Sequence, residues 1–568
     1  MSSTSFTSSL CSSESTMEET IKRAEGIIHK WKIDGHSDSG FISIFHENNT
    51  EATDFFNCVR ELHRAMHFLA SNDSKSPILS VAQRLIQIAM KRLQKEFHVT
   101  LLDSREPEFQ ISLSDAKQPS TIAISNLRLI ADTMISCGYS NECIRLYKIT
   151  RKAKIDEALF LLGIQHHNRS QIKKLINDPH LDNHVKSWLD AVQIAVKTVF
   201  HEEKFLCDHV FSTHTAIRNL CFKNSTKEGA LNLFMFPDLI ATGCKRLKSE
   251  TIFVMMELYN SISDLWPEIE SIFSEDSVKI QATSCLQKLG DSVRTILGEL
   301  ESSIQKNSSK LTVSGGGIHP LNNSVMTYLS SLADYGSTLS DVIVDDLPFK
   351  EQSLFINSYL NCLNSGELSP AAVSVNFAWI ILVLLCKLDG KARFHNYVAL
   401  SYLFLVNNLH FIIEKVRATN LRFILGEEWI TNHEKKLKQY VSSYESMSWN
   451  KVISCLPESS LVSPAKVRGC FRRLYFTFEE VYGKQTSWIV VDENMRRKMK
   501  ASIANKLVPA YEEFYEKHLV MLSADERCMK MLMRLSPENM AKYLSELFPG
   551  KSTVLKSSRT SHSSMTFI

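Results

Sequence analysis

The fold class is decided by residues 76–97, SPILSVAQRLIQIAMKRLQKEF. Apolar residues recur there three or four positions apart, which is the period of an α-helix with one buried face. The residues of this apolar stripe are Val81, Leu85, Ile88, Ala89, Leu93 and Phe97. Most charged side chains fall elsewhere on the helix, namely those of Arg84, Lys91, Lys95 and Glu96. The segment is therefore predicted to form an amphipathic helix.

The same helical pattern recurs along the rest of the chain. Four such segments begin with a Ser-Pro pair, in which serine can cap a free amide and proline suits the first helical turn. These pairs start at Ser76, Ser369, Ser463 and Ser536. With 19 Gly and 14 Pro among 568 residues, the composition disfavours a turn-rich β architecture. Because no alternating strand pattern of useful length is present, the sequence predicts an all-α protein.

The most hydrophobic run is FAWIILVLLC at 377–386. It is shorter than the ~20 residues of a membrane span, and Lys387 and Asp389 follow it, so we predict a buried helix. Thirteen cysteines without a CxxC pair indicate reduced thiols rather than disulfides or a zinc site. Neither terminus carries a recognisable signal peptide or lipid-anchor motif. These features together predict a cytoplasmic protein.

Breaks in the helical pattern divide the chain into predicted domains. Ser-rich residues at both ends lack apolar anchors, and we expect them to be mobile tails. The predicted divisions are a tail at 1–16, N-terminal helices at 17–102, a linker at 103–121, a long helical part at 122–304, a second linker at 305–324, a middle helical bundle at 325–456, a basic helical domain at 457–550 and a tail at 551–568.

Common catalytic and ligand-binding motifs are absent: the P-loop, HExxH, the GxSxG elbow and the EF-hand. The glycine run 315–317 suits a turn better than a nucleotide site. The adjacent pair 166–167, His-His, suits a surface better than a metal site, because neighbours on a helix point about 100° apart. For Cys137 and Cys143, two buried thiols in a helical hairpin that turns at Gly138 are favoured over a redox pair. We therefore predict no enzyme activity, no cofactor and no metal.

Charge is concentrated near the C-terminus. The whole chain has a net charge of +3, which disfavours a bulk nucleic-acid binder. Residues 466–506, in contrast, hold ten Lys and Arg against four acidic residues, a net charge of +6. A solvated helix face is one interpretation of this run, and attraction to anionic lipid headgroups is the next. Nucleic acid is less favoured, because the aromatic residues follow the apolar stripe of a helix.

Five ordered segments, within a stretch of about residues 80 to 550, resemble the exo-seventy family, the roughly seventy-kilodalton subunit of the exocyst complex, in its plant branch. The segments are 126–159 with a Gly-Tyr turn between two helices, 233–273 at the opening of a central domain, 315–335 with Gly-x-x-His-Pro-Leu, 402–433 with Asn-Asn and Leu-Gly-Glu-Glu-Trp, and 478–515 with Leu-x-Pro-Ala-Tyr.

This resemblance implies an elongated rod of stacked antiparallel helical bundles, without catalysis, that helps to tether secretory vesicles to the plasma membrane. It also implies contacts with other exocyst subunits and with Rho-type small GTPases, and binding of phosphatidylinositol 4,5-bisphosphate by a basic C-terminal domain. We extend the lipid-binding role to nine residues: Lys466, Arg468, Arg472, Arg473, Arg496, Arg497, Lys498, Lys500 and Lys506. The protein is then expected to be cytoplasmic and peripherally recruited to the plasma membrane.

One departure from the family pattern supports an alternative function. Glu512 and Glu513 follow Tyr511, where the family usually has a basic residue. Two acids beside a basic region weaken its attraction to anionic lipid. The alternative is therefore a helical adaptor in defence-linked or autophagy-related trafficking that does not bind lipid directly.

Overall fold

The computed structural model describes most of the chain. The described ranges are 5–32, 42–45, 49–72, 77–103, 121–164, 180–243, 250–274, 277–310, 312–343, 372–456 and 463–549, with the backbone alone for 5–15, 49 and 103. All regular structure within these ranges is helical, so the prediction of an all-α fold is confirmed. The predicted tail at 551–568, the histidine pair 166–167, the predicted caps Ser76 and Ser369 and most of the predicted linker 103–121 lie outside the described residues.

Twenty α-helices make up the described part of the chain. They are α1 Ser5–Lys30, α2 Asn49–Asn72, α3 Pro77–Asp103, α4 Thr121–Ser136, α5 Ser140–Leu161, α6 Leu181–Ile194, α7 His201–Val210, α8 Thr215–Gly243, α9 Thr251–Asp264, α10 Trp266–Ile272, α11 Ser277–Lys306, α12 Pro320–Leu332, α13 Gly336–Ile343, α14 Ala372–Ala392, α15 Val398–Arg417, α16 Leu421–Ile453, α17 Pro464–Gln485, α18 Glu493–Ser523, α19 Glu526–Arg534 and α20 Pro537–Glu546. A π-helical turn, Ala195–Phe200, joins α6 to α7.

The chain forms two compact units. One unit comprises residues 1–245 and 257–289, and the other comprises residues 246–256 and 290–568. In the first unit, α1, α2, α3 and α4 each pack against the next helix along the chain, and α5 packs against α8. In the second unit, α14, α15 and α16 pack together, and α16 to α20 form a C-terminal bundle. This order of contacts is typical of stacked helical hairpins.

The apolar stripe of α3 is largely buried, but two charged residues, Arg92 and Glu96, are buried with it. Leu85, Leu93 and Phe97 have no exposed side-chain surface, as predicted. Glu96, which we placed off the stripe, is only 1% exposed. Its carboxylate accepts hydrogen bonds from Arg92 at 3.1 Å and from the amide of Ile44 at 3.3 Å. Glu96 is buried because these donors replace the water that its charge would otherwise require.

The cysteine hairpin forms as predicted. Cys137 and Cys143 are both buried, one just after α4 and the other in the first turn of α5. Gly138 lies between them at φ +86°, a conformation that favours glycine. Burial raises the pKa of both thiols. Raised pKa values keep thiols protonated and unreactive, which agrees with a structural role.

The serine caps form at one of the two predicted sites that the structure describes. The Ser536 hydroxyl accepts a hydrogen bond from the amide of Asn539 at 3.2 Å, at the start of α20. Ser463 precedes Pro464 at the start of α17, but its hydroxyl makes no capping hydrogen bond. Its backbone carbonyl instead accepts the amide of Lys466 at 3.0 Å. Proline at the first helical position therefore marks both helix starts better than the serine hydroxyl does.

The hydrophobic run at 377–386 lies inside α14, which has 21 residues. By length and composition alone this helix is apolar enough to cross a membrane, with a mean hydropathy of 1.8, so the prediction that it is too short is wrong. The prediction that it packs inside the protein is confirmed, because Phe377, Ile381 and Leu384 are fully buried. It is a core helix between α13, α15 and α16.

Asn408 joins α15 to the segment before α12 through buried hydrogen bonds. Its side-chain oxygen accepts from the amide of His319 at 2.9 Å and from the Asn322 side chain at 3.0 Å. Its side-chain nitrogen donates to the Gly317 carbonyl at 3.1 Å. Both the oxygen and the nitrogen of the side-chain amide therefore make hydrogen bonds, and Asn408 is 1% exposed. A buried amide that is satisfied in this way fixes one arrangement of the two segments.

Asn407 joins the same turn to the residues that precede α18. Its side-chain nitrogen donates to the carbonyls of Gly316 and Ile489, each at 2.7 Å. Its side-chain oxygen accepts from the amide of Val491 at 3.0 Å. The Ile489 amide donates to the Gly315 carbonyl at 2.8 Å. The glycine turn and the residues before α18 therefore cross with hydrogen bonds to each other as well as to Asn407. The predicted glycine turn is confirmed, and it holds the start of α18 in place.

Gly315 is required at this crossing for two reasons. It has φ +66°, and a Cβ atom added to it would lie 2.7 Å from the Ser487 carbonyl oxygen. Neither the backbone conformation nor the space admits a side chain. The approach of 487–489 to the turn therefore depends on glycine.

Removing the Asn407 amide should destabilise the second unit. We expect Asn407→Ala to lower its free energy of unfolding by about 3 kcal/mol, because the carbonyls of Gly316 and Ile489 and the amide of Val491 lose their partner in the interior. Chemical denaturation followed by circular dichroism measures this. Asn505→Ala, at an exposed position of α18, is the matched control. Equal stability of the two variants would contradict this account.

His433 in α16 should make the second unit sensitive to acid. It is buried against Trp429, donates from Nδ1 to the Trp429 carbonyl at 2.7 Å, and burial lowers its pKa to about 4. An unfolded histidine has a pKa of about 6.5. The unfolded chain therefore binds more protons than the folded chain between these values, and stability is lost as pH falls through this window.

We expect the wild type to lose about 1 kcal/mol through His433 between about pH 7.5 and 5.5. His433→Phe keeps a ring on Trp429 but cannot be protonated, so its stability should fall less over the same range. Denaturation at both pH values measures the difference. His209→Phe is the control, because His209 makes the same kind of contact with Phe205, at 2.8 Å, on an exposed surface. The hypothesis fails if both variants keep the wild-type pH dependence.

Candidate functional site

The basic region begins on α17, where an apolar stripe fixes which side chains face water. Phe471, Leu474 and Phe478 are buried, as predicted. Arg472 is half-buried beside this stripe, and Arg473 is exposed. The helix period thus turns four cations outward, which we name the first basic cluster: Lys466, Arg468, Arg472 and Arg473.

The first basic cluster lies beside the turn between α18 and α19. The Arg472 guanidinium is 3.0 Å from the Asp525 carboxylate. Asp525 also caps α19, accepting from the amides of Cys528 at 3.2 Å and Arg527 at 2.9 Å. The backbone N–H groups of Cys528 and Arg527, with Arg472 and Arg468 nearby, hold the pKa of Asp525 below its usual value. Asp525 therefore remains ionised and anchors this end of α17.

The start of α18 carries a second basic cluster, which comprises Arg496, Arg497, Lys498 and Lys500. Asp492 caps the helix through the amide of Met495 at 2.7 Å, and His410 of α15 lies 3.4 Å from the same carboxylate. The cap fixes the direction in which the helix leaves the Asn407 crossing. All four cations lie within the first eight residues of α18.

The cations of the second basic cluster differ in their exposure and in the contacts that they make within the chain. Lys500 donates to the Ser545 carbonyl at the end of α20 at 2.6 Å, and burial with the nearby Arg496 lowers its pKa. Among the described residues, Arg497 bonds only to Asn494 of its own helix, at 2.7 Å. Lys498 is exposed, and no partner contacts it in the part of the chain that the structure describes. Arg497 and Lys498 are therefore the most available to an anion.

Lys506, the ninth predicted residue, belongs to neither cluster. Its ammonium pairs with the Glu445 carboxylate of α16. The Glu445 side chain is 9% exposed and that of Lys506 is 58% exposed. A carboxylate so deeply buried needs its counter-ion, so Lys506 neutralises the bundle interior.

The two basic clusters lie at opposite ends of the C-terminal bundle. α17 leads through 486–492 into the start of α18, whereas Arg472 contacts Asp525 just after the end of α18. The two helices are therefore antiparallel. α18 has 31 residues, so at ~1.5 Å per residue the clusters are separated by roughly 40 Å along it. The nine predicted residues thus do not form one continuous patch.

The acidic pair that departs from the family pattern lies between the clusters. Glu512 and Glu513 are exposed near the middle of α18. Each cluster is then roughly 20 Å away along the helix. Because charges are screened over ~8 Å at physiological salt, these two acids act only weakly on either cluster.

Sequence reasoning missed three further exposed cations near the first basic cluster. Arg527, Lys530 and Arg534 lie on α19, which packs against α17. In the sequence, the acids at 512, 513 and 516 separate these cations from the basic run at 466–506. A helical period with basic residues at 527, 530 and 534 was the available signal.

The site contains no catalytic constellation or metal centre that we can identify among the described residues. No group of three or more His, Cys, Asp or Glu side chains there is arranged to hold a metal ion. The geometry provides two sets of cations on helices, each with two exposed and two half-buried members, and this arrangement suits binding of polyanionic surfaces.

Comparison with known protein families identifies the family to which the chain belongs. The family model for the C-terminal region of the Exo70 exocyst complex subunit matches residues 186–546, and the model described as "Exocyst complex component Exo70 N-terminal" matches residues 20–103. The first match alone covers more than half of the chain and includes both basic clusters.

Individual relatives agree with these matches. The chain is 28% identical to "Exocyst complex component EXO70B1" of Arabidopsis thaliana, over 76% of this chain and 67% of that protein. It is 23% identical to "Exocyst complex component EXO70A1" of the same plant, over 94% of this chain and 89% of that protein. The fold is similar to that of the S. cerevisiae exocyst component Exo70p, with a TM-score of 0.66 and 15% identity, over 93% of this chain and 99% of that one. The chain belongs to the Exo70 family, in its plant branch, as the five ordered segments predicted.

Proposed function

We propose that this protein is a subunit of an exocyst complex that helps to tether secretory vesicles to the plasma membrane. Membership of the Exo70 family supports the complex, since the plant relatives are themselves exocyst components. The proposed partners are other exocyst subunits, Rho-type small GTPases and an anionic phosphoinositide surface. The protein would be cytoplasmic and peripherally recruited to that membrane.

The observation that supports membrane recruitment is the presence of the two basic clusters on the surface of the C-terminal bundle. Each basic residue near an anionic leaflet contributes roughly 1 kcal/mol, so a cluster of four contributes a few kcal/mol. That free energy corresponds to weak, reversible binding of a single copy. Two clusters on one rigid bundle, and further copies or subunits in a complex, raise the effective concentration and make residence stable.

A helical adaptor that does not bind lipid is the second candidate, and specific contacts favour it. Arg472, Lys500 and Lys506 already bind Asp525, Ser545 and Glu445 of the same chain. These cations contribute less to an external anion than free ones would. In that case the protein acts through partner proteins alone, in defence-linked or autophagy-related trafficking.

Charge reversal decides between the two candidates. We expect wild-type protein to co-sediment with vesicles that contain phosphatidylinositol 4,5-bisphosphate, and binding to weaken as salt rises. The variant Arg496→Glu, Arg497→Glu, Lys498→Glu should bind more than about tenfold more weakly, because three favourable contacts become repulsive. Lys466→Glu, Arg468→Glu, Arg473→Glu tests the first basic cluster in the same way.

A matched control is available on α16. Lys435, Lys436 and Lys438 are exposed and lie outside both clusters. Reversing these three changes the net charge equally and should leave binding within about twofold of wild type. Failure of the folded wild type to bind at low salt would refute direct lipid recruitment and leave the adaptor.

Lys506 should behave as a structural residue rather than a lipid contact. We expect Lys506→Met to lower the free energy of unfolding by about 1 to 2 kcal/mol, because Glu445 is left buried without its counter-ion. Vesicle binding should stay within about twofold of wild type. Lys498→Met is the matched comparison and should show the reverse, with weaker vesicle binding and little change in stability. Loss of binding by Lys506→Met at unchanged stability would show that this assignment is wrong.

A further inference from the structure

The hairpin formed by α18 and α19 exposes a set of large apolar side chains at one end of the C-terminal bundle. We name it the apolar tip, and it comprises Leu519, Val520, Met521, Met529 and Met533. Val520 is 84% exposed and Met533 is 69% exposed. Single exposed apolar residues are ordinary on protein surfaces, but five within one short hairpin call for a physical explanation.

The most exposed side chains of the apolar tip point away from the core of the C-terminal bundle. On α18, the side chains of Phe514, His518 and Leu522 face the interior. Val520 lies two residues from His518 and from Leu522, so the helix period points it away from the core. On α19, Cys528 and Leu532 are buried, while Met529 and Met533 share an outer face, four residues apart.

Cations surround the apolar tip. The hairpin residues 517–534 include Lys517, Arg527, Lys530 and Arg534 against Asp525 and Glu526. The ion pair between Arg472 and Asp525 brings the first basic cluster to the same end. The range 466–473 adds four cations and no acid. Residues 466–473 and 517–534 together carry a net charge of +6. Glu526 is in an exposed ion pair with Lys530, and Asp525 is in a partly buried one with Arg472.

We propose that the apolar tip inserts into the headgroup region of an anionic bilayer when the protein is recruited. This inference rests on the proposed membrane function and adds an apolar contribution to it. Interfacial membrane helices have this composition, with apolar side chains that enter the bilayer and Lys or Arg beside them at headgroup level.

A protein partner fits the apolar tip less well than a bilayer does. The cores of protein interfaces are depleted in lysine and receive anchors in pockets. Here the exposed Lys530 lies three residues before Met533 and so beside it on the surface of α19, and the apolar side chains are exposed. A fluid bilayer accommodates protruding side chains without a complementary shape, and its phosphates neutralise the cations.

The test separates the apolar contribution from charge. Vesicles of neutral phosphatidylcholine, of phosphatidylcholine with phosphatidylserine, and of phosphatidylcholine with phosphatidylinositol 4,5-bisphosphate at equal charge are compared across a salt series. At about 0.5 M salt, where charge is screened over only a few ångströms, the wild type should keep measurable binding to anionic vesicles. Val520→Gln with Met533→Gln keeps the charge and should lose roughly tenfold of that residual binding.

The matched control changes two equally exposed apolar residues elsewhere. Ile280 is 71% exposed on α11, and Phe423 is 84% exposed on α16. Ile280→Gln with Phe423→Gln should bind vesicles as the wild type does. Because all four positions are exposed, these variants should fold, and circular dichroism checks that they do.

Depth of insertion gives a second readout. The fluorescence of a tryptophan introduced by Val520→Trp should be quenched by brominated lipids. The fluorescence of a tryptophan introduced by Ile280→Trp should not be quenched. The seven native tryptophans contribute the same background to both proteins.

The outcomes distinguish this inference from the proposed function. If binding is lost on reversal of Arg496, Arg497 and Lys498 but not in the Val520 and Met533 double variant, and Val520→Trp is not quenched, insertion is overturned and charge-driven recruitment remains. If binding is lost in the double variant but survives reversal of both basic clusters, insertion holds and charge-driven recruitment is overturned. A wild type that binds no vesicle overturns both.

Discussion

The second unit depends on the paired amides of Asn407 and Asn408. Adjacent residues on a helix point about 100° apart, so these two amides reach different neighbours from one turn of α15. Asn408 bonds to the segment before α12, and Asn407 bonds to the extended residues before α18. The segment before α12 has only a single 3-10 turn, Ser314–Gly316, and residues 488–491 before α18 form no helix, so neither segment satisfies all of its own backbone groups at this point. The two side chains supply the missing partners, and they thereby set the position from which α18 begins.

The position of α18 then determines how charge is distributed. A cluster that looks continuous in the sequence is divided, because α17 and α18 are antiparallel and their basic residues lie near opposite ends of the pair. The same arrangement brings α19 back along α17, so cations at 527 and 530 join those at 466–473. Separation also keeps Glu512 and Glu513 away from both clusters. The departure from the family pattern therefore has less electrostatic effect than its place in the sequence indicates.

The sequence contains enough information to predict the helices, the buried stripe of α17 and the cysteine hairpin. Each of these follows from periodicity or from a single glycine, as at Gly138. Glu96 shows the limit, because it is buried by donors from Arg92 and from Ile44, and Ile44 lies 52 residues earlier. Lys506 shows the same limit, because Glu445 comes from another helix. From the sequence, a charged residue is predicted to be exposed. Only the tertiary contacts show which charged residues are buried and paired with a partner.

These contacts divide the cations of the C-terminal bundle between two roles. Lys506 and Lys500 bind groups of their own chain and stabilise the bundle, whereas Arg497, Lys498 and Arg473 remain available. Helices joined by satisfied buried groups hold the backbone of the free cations in place, so little backbone conformational entropy would be lost on binding the proposed anionic surface. Weak electrostatic contacts are then additive across a rigid body, which individual flexible lysines do not achieve. A tethering subunit needs this combination, because each contact must be reversible while the whole assembly stays bound.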